Sequence, residues 1–145
     1  MAENPWAELR KRDHIVFALE SLPAATGGAL FARCADGRTT ILIDPALDRR
    51  ARRAALAHEL VHEHRGDGSD SGGIVPASWR PVVARDERQV DDEVARWLVP
   101  LDQLEAFVER CLDFGAGVEV DEVADAFDVP EAVAERALLL LCRAR

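Results

Sequence analysis

The segment His58-Glu59-Leu60-Val61-His62 places two histidines four residues apart with a glutamate between them. Residues four apart on an α-helix share one face, so His58 and His62 can bind the same metal ion. Glu59 is turned about 100° around the helix axis from His58. It therefore stays off the ion while lying close enough to take a proton from a water at an open metal position. This pattern predicts a zinc hydrolase with Glu59 as its catalytic base.

A catalytic zinc site usually takes three protein ligands and leaves one position for water. The metzincin extension of the motif would place Gly at position 65 and His at position 68, but the chain has Arg65 and Gly68 there. His64 follows the second motif histidine by two residues, away from the metal face, and is interpreted as a solvent-side or substrate-side residue. Asp67 and Asp70 fall in a glycine-rich stretch, where acidic residues are typical of turns.

The third ligand is instead expected on the next predicted helix. Glu87 precedes Val90 by three residues and so shares the apolar face of that helix, which consists of Val90, Val94, Trp97 and Leu98. A carboxylate on a core-facing stripe needs a partner, because burying it alone is costly. A metal ion would be that partner, and Glu87 is the predicted ligand. Asp91, one turn on, is the rival ligand or a supporting residue, and Glu93 is predicted to face solvent. The alternative for Glu87 is an acid stabilised by the dipole at a helix start.

Apolar spacing and chain breakers predict a mostly helical chain with one short hairpin. An Asp-Gly pair joins two strand-like runs, Ala29–Cys34 and Thr39–Asp44, which is typical of a hairpin. Asp48 suits the N-cap of the motif helix, which is predicted to run to about His64 and to stop at Gly66. The other predicted segments are a long loop over 66–86 and helices over 5–21, 87–98, 101–113, 120–127 and 131–143.

The chain has 145 residues, a length typical of one compact domain, and a formal charge of −9. That charge argues against direct contact with nucleic acid, because phosphate contacts require a basic surface. The three cysteines lack the spacing of a CxxC site, and the first residues lack the apolar run of a signal peptide. No apolar run is long enough to cross a bilayer. We therefore expect a cytoplasmic protein with no membrane association, whose partners are proteins or small molecules.

The two candidate metal-binding helices together resemble the ImmA/IrrE family of metallopeptidases. That family joins an HExxH helix to a downstream helix of the form E-x-x-A-N-x-F-A-x-x-L-L-M-P. This chain has ERQVDDEVARWLVP at residues 87–100, and RAALAHELVH at 53–62 is similar to the family's approach to its first motif. The likeness covers about residues 40–143. Differences from the second pattern fall at Val90, Asp91, Glu93 and Val94.

The resemblance implies that Glu87 completes a site for one Zn²⁺ per chain with His58 and His62. The expected fold is α+β: a mostly helical, zincin-like domain over residues 1–145, with a small β-hairpin or sheet beside the HExxH helix. A C-terminal helix pair at about 119–143 is expected to pack on it. The implied activity is cleavage of a protein substrate, a DNA-binding transcriptional repressor in phage or mobile-element immunity or in a stress response. The alternatives are a zinc-binding regulator that controls a repressor without cleaving it, and a metal-free helical interaction module.

The group that would stabilise the oxyanion of a tetrahedral intermediate is left open. The chain contains no tyrosine, so the remaining protein donors are histidine, arginine or backbone N–H groups. The candidate side chains are His64, Arg80 and Arg85. Arginines at the start of the motif helix are interpreted as a solvated face or, alternatively, as a docking surface for an acidic partner: Arg49, Arg50, Arg52 and Arg53.

Overall fold

The computed structural model describes residues 4–33, 38–66 and 80–145, and it describes the side chains of all of these except 32, 33 and 80–85. These residues form six α-helices and one three-stranded sheet, which confirms the predicted α+β, mostly helical fold. In chain order the elements are α1 (Pro5–Lys11), β1 (Ile15–Leu19), β2 (Ala29–Arg33), β3 (Thr39–Ile43), α2 (Arg49–Arg65), α3 (Arg80–Leu98), α4 (Leu101–Asp113), α5 (Val120–Phe127) and α6 (Glu131–Ala144).

The sheet has the strand order β1-β3-β2, so β3 is its central strand. The strands β2 and β3 pair antiparallel, with Ala29 opposite Ile43 and Arg33 opposite Thr39, which confirms the predicted hairpin partners. Residues 34–37, which include Cys34 and the predicted Asp-Gly connection, lie outside the described residues. β1 pairs with β3 in parallel, and this third strand makes the sheet mixed.

The predicted helix over 5–21 is wrong in its second half. Asn4 caps α1 by accepting the N–H of Ala7 at 3.0 Å, but the helix ends at Lys11 and the chain enters β1 at Ile15. Apolar residues at 15, 17 and 19 fit a two-residue repeat as well as a helical one. Pairing with β3, which is distant in sequence, decides between the two, and a local pattern carries no information about that partner.

The motif helix α2 begins and ends where its capping residues predict. Asp48 accepts the N–H of Ala51 at 2.8 Å at the start of the helix. Gly66 ends it with a left-handed φ of 72° and donates its N–H to the carbonyls of Glu63 and His62. A left-handed residue at this position favours glycine, because it has no Cβ.

α2 lies between two separate apolar cores. Leu56 and Leu60 pack against the sheet, where their buried neighbours are Phe31, Ile41 and Ile43. Ala57 and Val61 pack instead into the core of the helical layer, which α3 to α6 complete. Since the helix is held from two sides, the positions of its motif side chains are set by packing as well as by backbone hydrogen bonds.

α3 is longer than predicted and starts at Arg80 instead of residue 87. Pro81 occupies its first turn, where a proline needs no N–H partner. The final part of the predicted loop over 66–86 is therefore helical, while residues 67–79 lie outside the described part of the chain. Glu87 consequently lies two turns inside a helix, which removes the alternative that it is an acid at a helix start.

The helices predicted over 101–113 and 120–127 are confirmed as α4 and α5, and α6 extends one residue beyond its predicted end. α6 packs along α3, where Arg136 Nε donates to Asp92 Oδ1 at 2.7 Å. Between α5 and α6, Asp128 adopts a left-handed φ of 56°. Among the described residues, none of the helices combines the length and the apolar character needed to cross a bilayer.

The arginines at the start of α2 bind other groups of the same chain. Arg49 and Arg50 donate to Asp128 Oδ1 at 2.6 and 3.1 Å, and Arg50 also donates to Asp125 at 2.9 Å. Arg53 donates to the carbonyl of Asp128 at 2.9 Å. Arg52 donates to the carbonyl of Leu47 at 2.8 Å. Three of these four arginines therefore tie α2 to the end of α5 and the turn that follows it, a role that neither sequence interpretation included.

A second polar junction ties the N-terminal segment to the end of α2. Arg12 Nη1 donates to Glu63 Oε2 at 2.6 Å and to the carbonyl of Leu60 at 3.2 Å, and its other nitrogens contact Glu8. His14 Nε2 lies 2.5 Å from Glu63 Oε1. Burial raises the pKa of Glu63, but the hydrogen bonds and charges of His14 and Arg12 outweigh that effect and hold the pKa below its ordinary value of 4.5.

Replacing Asp128 with alanine is expected to lower the free energy of unfolding by about 1 kcal/mol, measured by urea denaturation. The substitution removes ion pairs that contribute roughly 0.2–1 kcal/mol when partly exposed. It also puts alanine at a positive φ that aspartate tolerates better. Asp128→Gly should regain the stability that alanine loses through its positive φ, but it should still lack the contribution of the ion pairs. An alanine variant as stable as the parent chain would show that this junction contributes nothing.

Acidification should remove the stabilisation that Glu63 provides. Because its folded-state pKa lies below its unfolded value, the contribution is complete above about pH 4.5 and is lost as the pH falls through the folded pKa. We expect Glu63→Gln to lower the melting temperature at neutral pH and to flatten its decline on acidification. Glu109→Gln, at an exposed position of α4, is the control. This assignment would be contradicted if the melting temperatures of the parent and of Glu63→Gln fell equally steeply as the pH was lowered.

Candidate metal centre

α2 and α3 bring the three predicted ligands together. The donor atoms of His58, His62 and Glu87 all lie within 4.8 Å of one another. His58 Nε2 is 3.0 Å from Glu87 Oε2, and His62 Nε2 is 2.9 Å from Glu87 Oε1. The two imidazole rings meet edge to face with their centroids 4.7 Å apart. Both Nε2 atoms therefore face the same carboxylate, so these three residues form a group that can hold a metal ion.

The packing of α2 against α3 explains this convergence. Ala57 and Val61 of α2 share one core with Val90 and Val94 of α3, and all four are buried. Each histidine follows one of these α2 core residues by one position, so both rings lie at the edge of the helix interface. Glu87 lies one turn before Val90 on the facing helix. Apolar packing between the two helices thus places a carboxylate opposite the two imidazoles.

The site is buried on the α2 side and open on the α3 side. The side chain of His62 is 8% exposed, whereas that of Glu87 is 44% exposed. His58 is intermediate at 28%. Among the three candidate ligands, His62 is therefore the most enclosed and Glu87 the most accessible to solvent. This gradient is what a site needs if a water or a substrate group is to reach the ion.

Glu59 is buried beside the ligands and contacts one of them. Its Oε1 lies 3.5 Å from Nδ1 of His58, on the opposite side of the ring from the nitrogen that faces Glu87. A carboxylate at Nδ1 favours the tautomer that keeps Nε2 free for a metal, a common arrangement around ligating histidines. The motif predicted only a base at this position, so the orienting contact is a feature that sequence reasoning missed.

Asp91 adds a further negative charge without a short hydrogen bond. Its Oδ1 lies 3.6 Å from Nε2 of His58, beyond hydrogen-bonding distance. Burial lowers the pKa of His58, but Glu59, Glu87 and Asp91 together outweigh that effect and raise the pKa above 6.5. The same carboxylates that favour a protonated imidazole would favour a bound cation. Asp91 therefore fits the role of a supporting residue better than that of a metal ligand.

The other acidic candidate on α3 faces away from the group. Glu93 is exposed and accepts a hydrogen bond from Arg65 at 2.7 Å, which confirms its predicted orientation. Arg65 also donates to Gln89 at 3.1 Å, so the end of α2 is linked to α3 beside the site. His64 is exposed and is not part of the metal-binding group.

Two of the proposed oxyanion donors lie outside what the structure describes. Arg80 and Arg85 belong to the first turns of α3, but their side chains are not among the described ones. Asp67 and Asp70, the acids of the glycine-rich stretch, also lie outside the described residues.

Comparison with known proteins identifies no relative. No protein-family model matches the chain, and neither the curated proteins nor the solved structures include a significant match.

Substitutions on α3 test which acid is the ligand. We expect Glu87→Gln to weaken binding of a divalent transition ion by more than the roughly 10–100-fold that loss of a supporting residue costs. Asp91→Asn should fall within that range, and Glu93→Gln should leave the affinity unchanged. Competition titration with Co²⁺ and Zn²⁺ gives the three affinities. If Glu93→Gln removed the metal while Glu87→Gln retained it, the orientation of α3 described above would be wrong.

Proposed function

We propose that this chain is a zinc-dependent endopeptidase of the ImmA/IrrE type that cleaves a protein substrate, a DNA-binding transcriptional repressor. The observation that carries the proposal is the convergence of Glu87 on the HExxH histidines. Glu87 lies 29 residues after His58 on a different helix, yet its two carboxylate oxygens lie within 3.0 Å of the two Nε2 atoms. A chance HExxH sequence on a surface helix gives no reason for this third residue.

The donor set fits zinc. Two imidazole nitrogens and one carboxylate are a known ligand combination of catalytic zinc, which binds them at about 2.0–2.2 Å and leaves a fourth position open. A tetrahedral arrangement at those bond lengths separates neighbouring ligand atoms by roughly 3.3 Å. The distances of 2.9 and 3.0 Å join the two nitrogens to different oxygens of Glu87. One donor atom from each residue lies within 4.8 Å of the others, so adjustment of the side chains would gather the three donors around an ion. The exposure of Glu87 supplies the open side.

Zinc held by His58, His62 and Glu87 would polarise the scissile carbonyl and acidify a coordinated water. Glu59 would accept the proton at its carboxylate and then deliver it to the leaving amine. Its position suits this task, because the side chain is 8% exposed and lies against His58, which restricts its movement. Asp91 would help to hold the charge of the site without occupying a ligand position.

One observation favours a second candidate, a zinc-binding regulator that controls the repressor without cleavage. The carboxylate of Glu59 contacts Nδ1 of His58, the nitrogen that does not face Glu87. A carboxylate at this position orients a ligating histidine even when no reaction follows. The peptidase and the regulator share the same metal site and differ only in whether Glu59 moves a proton. Substituting Glu59 therefore separates them.

Glu59→Gln is expected to keep the fold and about one zinc per chain but to abolish cleavage. Glutamine is nearly the same size as glutamate, yet it cannot accept the proton, and loss of a general base costs about 10²–10⁴-fold in rate. Repressors encoded by neighbouring genes would be incubated with each protein, and the fragments followed over time. Elemental analysis of the same samples gives the zinc content, with His62→Ala as the metal-free control.

Each outcome of this experiment selects a function. Zinc retained with cleavage lost supports the peptidase. Regulation of the repressor at full strength by the Glu59→Gln protein supports the binding regulator. A parent protein purified without chelators that contains no metal would remove both metal-dependent functions.

A further inference from the structure

A groove of about 350 Å³ lies between α3 and α6, beside the candidate metal centre. Its floor and rims combine guanidinium groups with leucine side chains, and the residues that matter for its chemistry are Arg88, Asp92, Arg136, Leu139, Leu140 and Arg143. None of these residues has a part in the metal site. We propose that this groove docks an acidic, leucine-containing segment of a protein partner. In the framework of the proposed function, on which this inference rests, that partner is the substrate.

The helix α6 supplies one wall with a regular spacing. Arg136, Leu139, Leu140 and Arg143 are spaced three, four and seven residues apart, so they share one helix face. Two cationic residues therefore flank a pair of leucines along this wall. Leu140 is buried, whereas Leu139 is 53% exposed at the groove surface. An apolar side chain of a partner would cover Leu139 while acidic groups reached the flanking arginines.

The α3 wall of the groove holds Arg136 of α6 in place through two hydrogen bonds. Arg136 donates from Nε to Asp92 at 2.7 Å and from Nη2 to the carbonyl of Arg88 at 3.0 Å. Guanidinium has five N–H donors, so Arg136 retains donors directed elsewhere. Among the described residues, no carboxylate pairs with the side chain of Arg88 or of Arg143. The groove thus holds three guanidinium groups and one carboxylate, which Arg136 already pairs.

The charge of the groove is opposite to that of the chain. With a formal charge of −9, the chain as a whole repels an acidic partner. The groove reverses that preference locally, and arginine binds carboxylates with paired, directional hydrogen bonds. Nucleic acid fits less well, because phosphate contacts along a backbone require an extended basic surface. A volume of about 350 Å³ accommodates a few side chains, and Leu139 gives it an apolar component.

The groove and the metal centre occupy adjacent faces of α3. Arg88 directly follows Glu87, and Asp92 directly follows Asp91. Consecutive residues are about 100° apart around a helix axis, so Arg88 and Asp92 are each one step around α3 from an acidic residue of the candidate metal centre. A partner bound in the groove would therefore approach the metal centre along the side of α3.

The test is direct binding of a synthetic probe to the full chain. A fluorescein-labelled peptide of alternating glutamate and leucine is titrated with protein and followed by anisotropy. We expect saturable binding that Arg88→Glu/Arg143→Glu weakens by at least about tenfold. The matched control is Arg10→Glu/Arg110→Glu, at exposed positions on α1 and α4, which should bind as the parent does. Melting temperature and zinc content of the groove variant confirm that its fold and metal site are intact.

Control peptides, a DNA duplex and the oligomeric state of the chain test which chemistry the groove recognises. Peptides with glutamine for glutamate, or serine for leucine, should each bind more weakly. No binding of the acidic peptide, or equal binding by the groove variant and the parent, overturns the inference. The inference is also overturned if a DNA duplex binds more tightly than the acidic peptide and the groove variant loses that binding. It is overturned as well if the parent chain sediments as a dimer and the groove variant sediments as a monomer. If the metal-free His62→Ala protein still binds the peptide, the groove is supported even when the peptidase assignment fails. If the parent protein shows zinc-dependent cleavage but does not bind the peptide, only the peptidase assignment is supported.

Discussion

The contact of Glu87 with His58 and His62 is the interaction on which the arrangement of the site depends. At the edge of a helix interface otherwise built from Val90, Val94 and their α2 partners, the side chain of Glu87 is 44% exposed, and the covered part of its carboxylate needs a polar partner. The two imidazoles supply it at 2.9 and 3.0 Å. One carboxylate and two ring nitrogens are also the three protein ligands that a catalytic zinc site usually takes, so the contact that holds these side chains together forms a donor set that could hold a metal ion.

Ion pairs on two sides of α3 fix how that helix is turned. Arg65 of α2 holds Glu93 on one side, and Arg136 of α6 holds Asp92 on the other. Between them, Val90 and its neighbours point into the helical core. A rotation of α3 that moved Glu87 away from the histidines would have to break one of these pairs and expose apolar surface. Ligands held by rigid, packed helices are the condition for a preorganised metal site.

The parts of this structure that sequence reasoning predicted are those encoded locally. Asp48 and Gly66 mark the ends of α2 because capping depends on neighbouring backbone groups. The position of Glu87 on an apolar helical face is also a short-range pattern, and that pattern predicts its place opposite the motif histidines. By contrast, β1 depends on pairing with β3, and the contact of Glu59 with Nδ1 of His58 depends on side-chain rotation. The arginine junction at Asp128 depends on how α5 and α6 return to α2, which no local pattern encodes.

The charge distribution links the metal site to its proposed partner. The carboxylates of Glu59, Glu87 and Asp91 make the site attractive to a cation but repellent to an acidic segment, until a divalent ion offsets part of that charge. The α3–α6 groove has the opposite preference one helix face away. An acidic partner would therefore be attracted to the groove although the net charge of the chain repels it. Under the proposed function, this polarity would set the direction from which a substrate enters, because the open side of the site is the one formed by Glu87 on the same helix.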